Sequence, residues 1–286
     1  MDSILKENRQ QFIEKKIIKK DPKNESRSVL LDWPLKQAST YNYYSYYAVS
    51  NFVDHNPNFP NLLQDYNCGV RTYDTQNGYN HQGQDIFTWP FDINMMDNNH
   101  VEVIAAAPGI ILYKEDGNFD KNCAMNNLNW NVVCIIHSDN TVVWYGHLKM
   151  NSLTSKIAGD AVIAGEYLGL IGSSGSSTGP HLHFEIQDND NNVIDPYYGD
   201  CNNTAPSMWN VQKPYYESTV NVLMTHSAPP VINSCPNPHS MNAENNYQPG
   251  DPIYFAAYYH DQRANQNLHI KFTGQITPFL VHGITA

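Results

Sequence analysis

The sequence lacks any continuous apolar run long enough to span a membrane. It also lacks the apolar stretch of a secretory signal, because Met1 to Lys20 is dense in Lys, Glu and Gln. The chain of 286 residues nevertheless has 41% hydrophobic residues, which is enough to bury a proper core. We therefore expect one large folded domain or two ordinary ones, without a transmembrane helix.

Positive charge is scarce: 17 Lys and Arg stand against 28 Asp and Glu, a formal net charge of -11. The first forty residues hold nine basic and six acidic side chains, so the remainder carries 8 minus 22, or -14. Such a surface disfavours non-specific binding to nucleic acid or to an anionic membrane.

Cysteine is sparse and scattered, with no CxxC zinc ribbon and no recognisable nucleophile context. Structural disulfides are the favoured use, and they would imply an oxidising compartment. Cys134 lies in the apolar run Val132–Ile136, so we expect it to be a buried free thiol. The other four allow three pairings, and we predict Cys201 with Cys235, joining the end of one domain to the next.

The polar amino terminus conflicts with an oxidising compartment. Three explanations stay open: the chain begins after a removed signal, its start is misplaced, or the cysteines are reduced. We favour the first two.

Most of the chain is predicted to be β, in an antiparallel arrangement, because short β-rich runs alternate with turn residues. The runs are Val101–Ala107, Ile110–Lys114, Asn131–His137, Thr141–His147, Tyr167–Ile171 and His181–Gln187. Gly172 to Gly179, with the sequence GSSGSSTG, is predicted to be a flexible loop that leads into the last run. It is no phosphate-binding loop, because no Lys follows its glycines.

The texture of the sequence changes at both ends. Residues 1–40 are predicted to be a polar arm with a short helix, loosely attached. From 204 to 286 prolines separate short apolar runs, which predicts a second, β-sandwich-like module that is small or cut short. The main domain, which contains the β-runs predicted above, is placed at 41–203.

Two pairs of potential metal ligands stand out. His181 and His183 are two residues apart in a β-favouring run, so alternation along a strand puts both rings on one face. About a hundred residues earlier, His81 and Asp85 are close enough in sequence to converge on one point. Together these side chains could supply a zinc site that keeps an open position.

A third histidine makes the pattern specific. The order is HQGQD at 81–85, an Ala-Ala-Pro-Gly turn at 106–109, Tyr-Gly-His-Leu at 145–148, and finally GPHLHFE at 179–185. This order resembles the lysostaphin-like zinc metallo-endopeptidases that cut peptidoglycan peptides. The resemblance covers roughly Cys68 to Gly199.

The resemblance implies one Zn²⁺ per chain, held by His81, Asp85 and His183. It also implies that His147 and His181 handle the proton and the oxyanion, without deciding which is the principal base. The substrate groove is expected to include Tyr145, Asn131, Ser174 and Thr178, and Glu185 is a candidate to orient His183. The other histidines, His239 among them, are interpreted as surface or hydrogen-bonded residues.

The function implied by the resemblance is zinc-dependent hydrolysis of peptide cross-links in bacterial peptidoglycan, outside the cytoplasm. The alternative is a catalytically silent module on the same fold that binds the wall or a partner. Degeneration typically deletes a ligand or a catalytic histidine, and here all five positions are filled. A third interpretation, an adhesive protein acting through its proline-rich module, would make the site incidental.

Overall fold

The computed structural model describes residues 2–19, 29–267, 269, 271 and 281–285, and these are mainly antiparallel β-structure, as predicted. The helices are α1 (Asp2–Glu14) and α2 (Asp92–Asp97). The strands are β1 (Leu35–Gln37), β2 (Tyr47–Asn51), β3 (Gly83–Thr88), β4 (Val101–Ile104), β5 (Gly109–Glu115), β6 (Val132–Ile136), β7 (Val142–Gly146), β8 (Ala161–Val162), β9 (Tyr167–Leu170), β10 (His181–Gln187), β11 (Thr219–His226), β12 (Tyr254–His260) and β13 (Val281–Thr285). Neither helix within these residues is long and apolar enough to cross a membrane.

The main sheet has seven strands in the order β2-β3-β10-β7-β6-β5-β8, and its neighbours pair antiparallel. A smaller sheet has the order β1-β4-β9. The principal core contains side chains of both sheets, for example Val103 of β4 with Leu182 and Phe184 of β10. Because β10 alternates, burying Leu182, Phe184 and Ile186 in this core turns His181, His183 and Glu185 to the opposite face.

The amino-terminal helix is docked, so the prediction of a loosely attached arm is wrong for this part of it. Leu5 and Phe12 are two turns apart on one face of α1, and both are buried in a second core cluster. Their partners on the main sheet include Leu112, Cys134 and Trp144. The apolar residues of α1 did not predict this contact, because the contact also depends on the face of the main sheet against which the helix packs.

The predicted pairing of Cys201 with Cys235 is wrong. Cys68 bonds Cys201 and Cys123 bonds Cys235, with S–S distances of 2.07 and 1.98 Å, while Cys134 is a buried free thiol, as expected. Sequence spacing carries no information on which of the three pairings the fold selects. The second bond joins the loop before β6 to the carboxyl-terminal region.

The carboxyl-terminal region carries one three-stranded sheet within the described residues, in the order β11-β12-β13. The first pair is antiparallel and the second parallel. The run expected at 268–272 lies largely outside the described residues, and the sandwich arrangement stays a prediction. The domain division at 203 also stays a prediction. Met208 and Trp209, which follow that boundary, pack into the principal core of the preceding domain.

Candidate metal centre

Three neighbouring strands bring the histidine motifs together. In the register of the main sheet, His183 on β10 lies opposite Asp85 on β3 and opposite Gly146 on β7. His147 follows Gly146 directly, with a backbone φ of 60°, a left-handed conformation that non-glycine residues adopt infrequently. Long-range pairing therefore brings three separate sequence segments, 81–85, 147 and 181–183, into one site.

Three potential ligand atoms form a compact triangle. Asp85 Oδ1 lies 3.1 Å from His81 Nε2 and 3.0 Å from His183 Nδ1, and the two nitrogens are 3.3 Å apart. Ligands about 2.0–2.1 Å from a tetrahedral zinc are about 3.3–3.4 Å from one another, so the triangle fits that ion closely. All three side chains are buried, and they are the one His/Cys/Asp/Glu group with metal-holding geometry among the described residues.

Hydrogen bonds to the far side of each ligand imidazole fix its tautomer. His81 Nδ1 donates to the Phe52 carbonyl at 2.8 Å, which leaves the lone pair of Nε2 for a metal. His183 Nε2 donates to Glu185 Oε2 at 3.1 Å, so Nδ1, which faces Asp85, is the nitrogen that would bind a metal once it is deprotonated. Such outer partners orient metal ligands and raise their basicity, and Glu185 lies where the role suggested for it from the sequence requires.

The other two histidines, His147 and His181, are also held by a hydrogen bond from Nδ1 to a backbone carbonyl, but they do not belong to the triangle. His181 Nδ1 donates to the Gly179 carbonyl at 2.8 Å, and its Nε2 lies 3.4 Å from Asp85 Oδ1. His147 Nδ1 donates to the Ser174 carbonyl at 2.6 Å. The two rings are 4.5 Å apart between centroids, so two further imidazoles stand beside the possible ligands, each held through its Nδ1.

Burial and mutual charge set the protonation of the site. Burial by itself raises the pKa of Asp85, but the imidazoles of His81 and His181 outweigh it and hold that pKa well below its usual value. Burial lowers the pKa of His183, yet Asp85 and Glu185 raise it to about 9. Metal binding must therefore displace a proton from His183 at neutral pH.

His147 shows the opposite balance. Burial, followed by the charges of His181 and His183, lowers the pKa of His147 well below the usual histidine value. Its imidazole is consequently neutral at physiological pH. A neutral ring can accept a proton or a hydrogen bond at Nε2.

An open cleft of about 610 Å³ runs past this centre, a volume typical of ligand sites. The cleft is lined by Ser50, Asn51, Tyr73, Asp85, Phe87, Asp92, Met125, Ser176, Ser177, Thr178, Gly179, Pro180 and His181. Of the expected groove residues, Thr178 is exposed and lies in this lining.

The other three expected groove residues are structural, which corrects their assignment. Tyr145, Asn131 and Ser174 are each 0% exposed. The Tyr145 hydroxyl accepts from the Ala106 amide, while Asn131 Nδ2 donates to the Leu148 carbonyl. Ser174 accepts from the Asn131 amide and donates to the same Leu148 carbonyl. The serine-rich loop is thus partly buried in the domain, although its small polar residues had predicted a flexible loop.

Sequence reasoning missed several residues at the centre. Tyr73 lines the cleft and stacks on His81, with ring centroids 4.5 Å apart. Trp130 packs edge-on to His147 at 5.0 Å, over Gly146, where a Cβ would meet its ring at 2.3 Å. Gly83 leaves room for His183, whose Cε1 would lie 2.7 Å from an added Cβ. The sequence signal for these contacts was the glycine within HxxxD, Gly83, and the glycine before His147, Gly146, since glycine permits such close approach.

Replacement of Glu185 should weaken metal binding in a graded way. We expect Glu185→Ala to lower zinc affinity about 10–100-fold, because His183 loses the acceptor that fixes its tautomer. Glu185→Gln retains an acceptor oxygen without the charge and should fall between Ala and the wild type. Titration against a competing chelator measures all three proteins, and equal affinities would exclude this role for Glu185.

Comparison with known proteins adds a family match. Residues 80–196 match the model described as Peptidase family M23. A DD-carboxypeptidase/endopeptidase Mpg of Neisseria meningitidis serogroup B is 38% identical over 88 residues, which are 30% of this chain and 17% of that protein. The peptidoglycan DD-endopeptidase ShyC of Vibrio cholerae serotype O1 is 37% identical over 71 residues, which are 25% of this chain and 16% of that protein.

The chain thus spans about a sixth of the length of these curated relatives. Among solved structures, the catalytic domain of the antimicrobial peptidase lysostaphin from Staphylococcus simulans is 28% identical, with a TM-score of 0.31. That similarity covers 44% of this chain and 83% of the lysostaphin domain.

Proposed function

Because residues 80–196 match the model of peptidase family M23, we propose that the chain is a zinc-dependent endopeptidase that hydrolyses peptide cross-links of bacterial peptidoglycan. The observation that carries the proposal is the geometry of five side chains. His81, Asp85 and His183 offer ligand atoms 3.0–3.3 Å apart, and the imidazoles of His147 and His181 adjoin them.

The ligand set suits zinc and leaves a coordination position unused by the protein. Two neutral imidazole nitrogens and one carboxylate oxygen are a donor set typical of catalytic zinc. A bound zinc would polarise a peptide carbonyl and lower the pKa of a coordinated water to about 7. Asp85 is ionised and contributes the negative charge that the two imidazoles lack.

The remaining chemistry is assigned to His181 and His147. His181 Nε2 points toward Asp85 Oδ1 at 3.4 Å, so it can take up a proton from a group held beside the ligands. His147 is neutral, and its Nε2 can accept a proton or, once protonated, donate to a developing oxyanion. Backbone carbonyls at both Nδ1 atoms hold these rings in place, so little reorganisation is needed during turnover.

An extracytoplasmic location in a bacterium is part of the proposal. The two disulfides favour an oxidising compartment, and the peptidoglycan substrate named for the Vibrio relative lies outside the cytoplasm. The cleft has two acidic side chains and no Lys or Arg in its lining, which disfavours nucleic acid as a ligand.

The silent-module alternative is disfavoured by the intact centre. A binding module has no need of two further imidazoles beside a complete ligand triangle. Burying these groups also lowers the pKa of His147 strongly, a cost that catalysis explains and passive binding does not.

The test is mass spectrometry of purified bacterial peptidoglycan digested with the zinc-loaded protein. We expect cross-linked muropeptides to decrease and new peptide termini to identify one bond. Chelator-treated protein and the Asp85→Ala variant are the matched controls. Failure of fully zinc-loaded protein to open any cross-link, in walls of differing peptide composition, would contradict the proposed substrate.

A further inference from the structure

A second carboxylate faces the cleft beside the metal centre. Asp92 is the first residue of α2, and its side chain is 33% exposed where it lines the cleft. One oxygen, Oδ1, accepts two hydrogen bonds, from the Ile93 amide at 2.8 Å and from His239 Nε2 at 2.5 Å. The carboxylate is therefore held in one orientation by partners on its inner side.

His239 is itself fixed by the carboxyl-terminal region. Its Nδ1 accepts from the Asn233 amide at 3.0 Å, so Nε2 carries the proton that is donated to Asp92. The His239 amide donates to Asn94 Oδ1 at 2.7 Å, and Asn94 Nδ2 donates back to the His239 carbonyl at 3.0 Å. The His239 side chain is only 4% exposed, so its side of the contact with Asp92 is shielded from water.

The other oxygen of Asp92 has no donor among the described residues. Asp92 Oδ2 lies 3.6 Å from the position that a Cβ on Gly179 would occupy, and Gly179 also lines the cleft. Gly179 precedes His181 by two residues, a span of at most about 7 Å along the chain. Oδ2 is therefore placed to contact a substrate group near the reacting bond.

The charge of the cleft indicates which kind of substrate group would contact Asp92 Oδ2. Its lining contains Asp85 and Asp92 but no Lys or Arg, and Asp85 is directed to the metal ligands. A carboxylate with one free oxygen binds an ammonium group through a charge-assisted hydrogen bond and repels a carboxylate. We propose that Asp92, positioned by His239, is a specificity-determining residue that binds an ammonium group of the substrate peptide close to the scissile bond.

This inference rests on the proposed peptidase function, and it names the substrates that the site prefers. The ammonium group can be a side-chain amine or the free amino terminus of a peptide branch. Three otherwise identical cross-link peptides distinguish these sources: one with only a side-chain amine, one with only a terminal amine, and one with both acetylated.

For the zinc-loaded wild type we expect kcat/KM for one amine-bearing peptide to exceed that of the acetylated peptide about 10–100-fold, as for hydrogen bonds to charged groups. Asp92→Asn should abolish this preference, because an amide keeps the shape of the side chain without its charge. Asp200→Asn, an exposed carboxylate outside the cleft lining, is the charge-matched control and should keep the preference.

His239→Gln tests the positioning role. We expect it to raise KM for the amine-bearing peptide with little change in kcat, and to leave zinc content unchanged. A loss on all three peptides alike, with a lower melting temperature, would instead indicate a purely structural role for His239.

The same peptides are also tested by calorimetric binding to the zinc-loaded protein, so the inference does not depend on turnover. The protein could cleave none of the peptides and still bind an amine-bearing peptide more tightly than the acetylated one, with Asp92→Asn removing that difference. This result would contradict the proposed function and keep the ammonium site. Equal cleavage and equal binding of amine-bearing and acetylated peptides would overturn the ammonium site and leave the peptidase intact.

Discussion

Asp85→Ala is expected to abolish stoichiometric zinc binding and, with it, all measurable hydrolysis. Asp85 Oδ1 lies within 3.1 Å of both ligand nitrogens and is the single carboxylate of the triangle. Loss of a direct ligand should lower affinity by more than the ~10–100-fold expected for an outer partner. Elemental analysis after dialysis against a weak chelator measures the bound zinc.

The control for Asp85→Ala is Asp200→Ala, which removes an exposed carboxylate outside the cleft. It should bind one zinc per chain like the wild type. Thermal unfolding of the zinc-free proteins separates loss of a ligand from loss of the fold. Full zinc stoichiometry and unchanged affinity in Asp85→Ala would remove this residue from the ligand set.

His181→Ala and His147→Ala are each expected to keep zinc and to lose most of their turnover. Removal of a general acid or base typically lowers the rate ~10²–10⁴-fold. Neither ring belongs to the triangle of ligand atoms, although the two rings adjoin it with centroids 4.5 Å apart. The measurement is kcat on a cross-link peptide at matched zinc content.

The exposed His269 provides the matched control, since His269→Ala removes an imidazole far along the chain from the motifs. It should cleave at the wild-type rate. Comparison of the two single variants with the double variant shows whether the rings share one task, because groups that act as a unit are not additive. Near-normal rates in both single variants would refute the assignment of proton transfer to these histidines.

Local sequence pattern predicted β7 and β10, two of the strands at the centre, but not β3, which carries Asp85. The spacing of His181 and His183 placed both rings on one face of a strand, because side chains alternate with a period of two. The structure has that strand at the predicted bounds, with the apolar Leu182, Phe184 and Ile186 in the core. The roles of the five site residues stay predictions until the variants are measured.

The sequence also determined that Cys134 is buried, since it lies in an uninterrupted apolar run. It could not determine the partners of the other four cysteines. Pairing joins residues more than a hundred positions apart, and only the packed chain brings one partner close and holds the others away.

The cleft was the feature that sequence reasoning described least well. Tyr145, Asn131 and Ser174 have residue types common in binding grooves, yet all three are buried and hydrogen-bonded within the domain. Residue type specifies which contacts a side chain can make, whereas the surrounding fold decides whether water or substrate reaches it.

The contact of His239 with Asp92 illustrates the same division across 147 positions. Neither residue stood in a recognisable motif, so the sequence alone offered no reason to connect them. The sequence by itself determined the β-rich class and the metal-binding motifs, because these follow from local alternation and from the chemistry of the side chains. Only the tertiary structure decided the disulfide pairs, the docking of α1 and the walls of the cleft, because these depend on contacts between distant segments that no local pattern encodes.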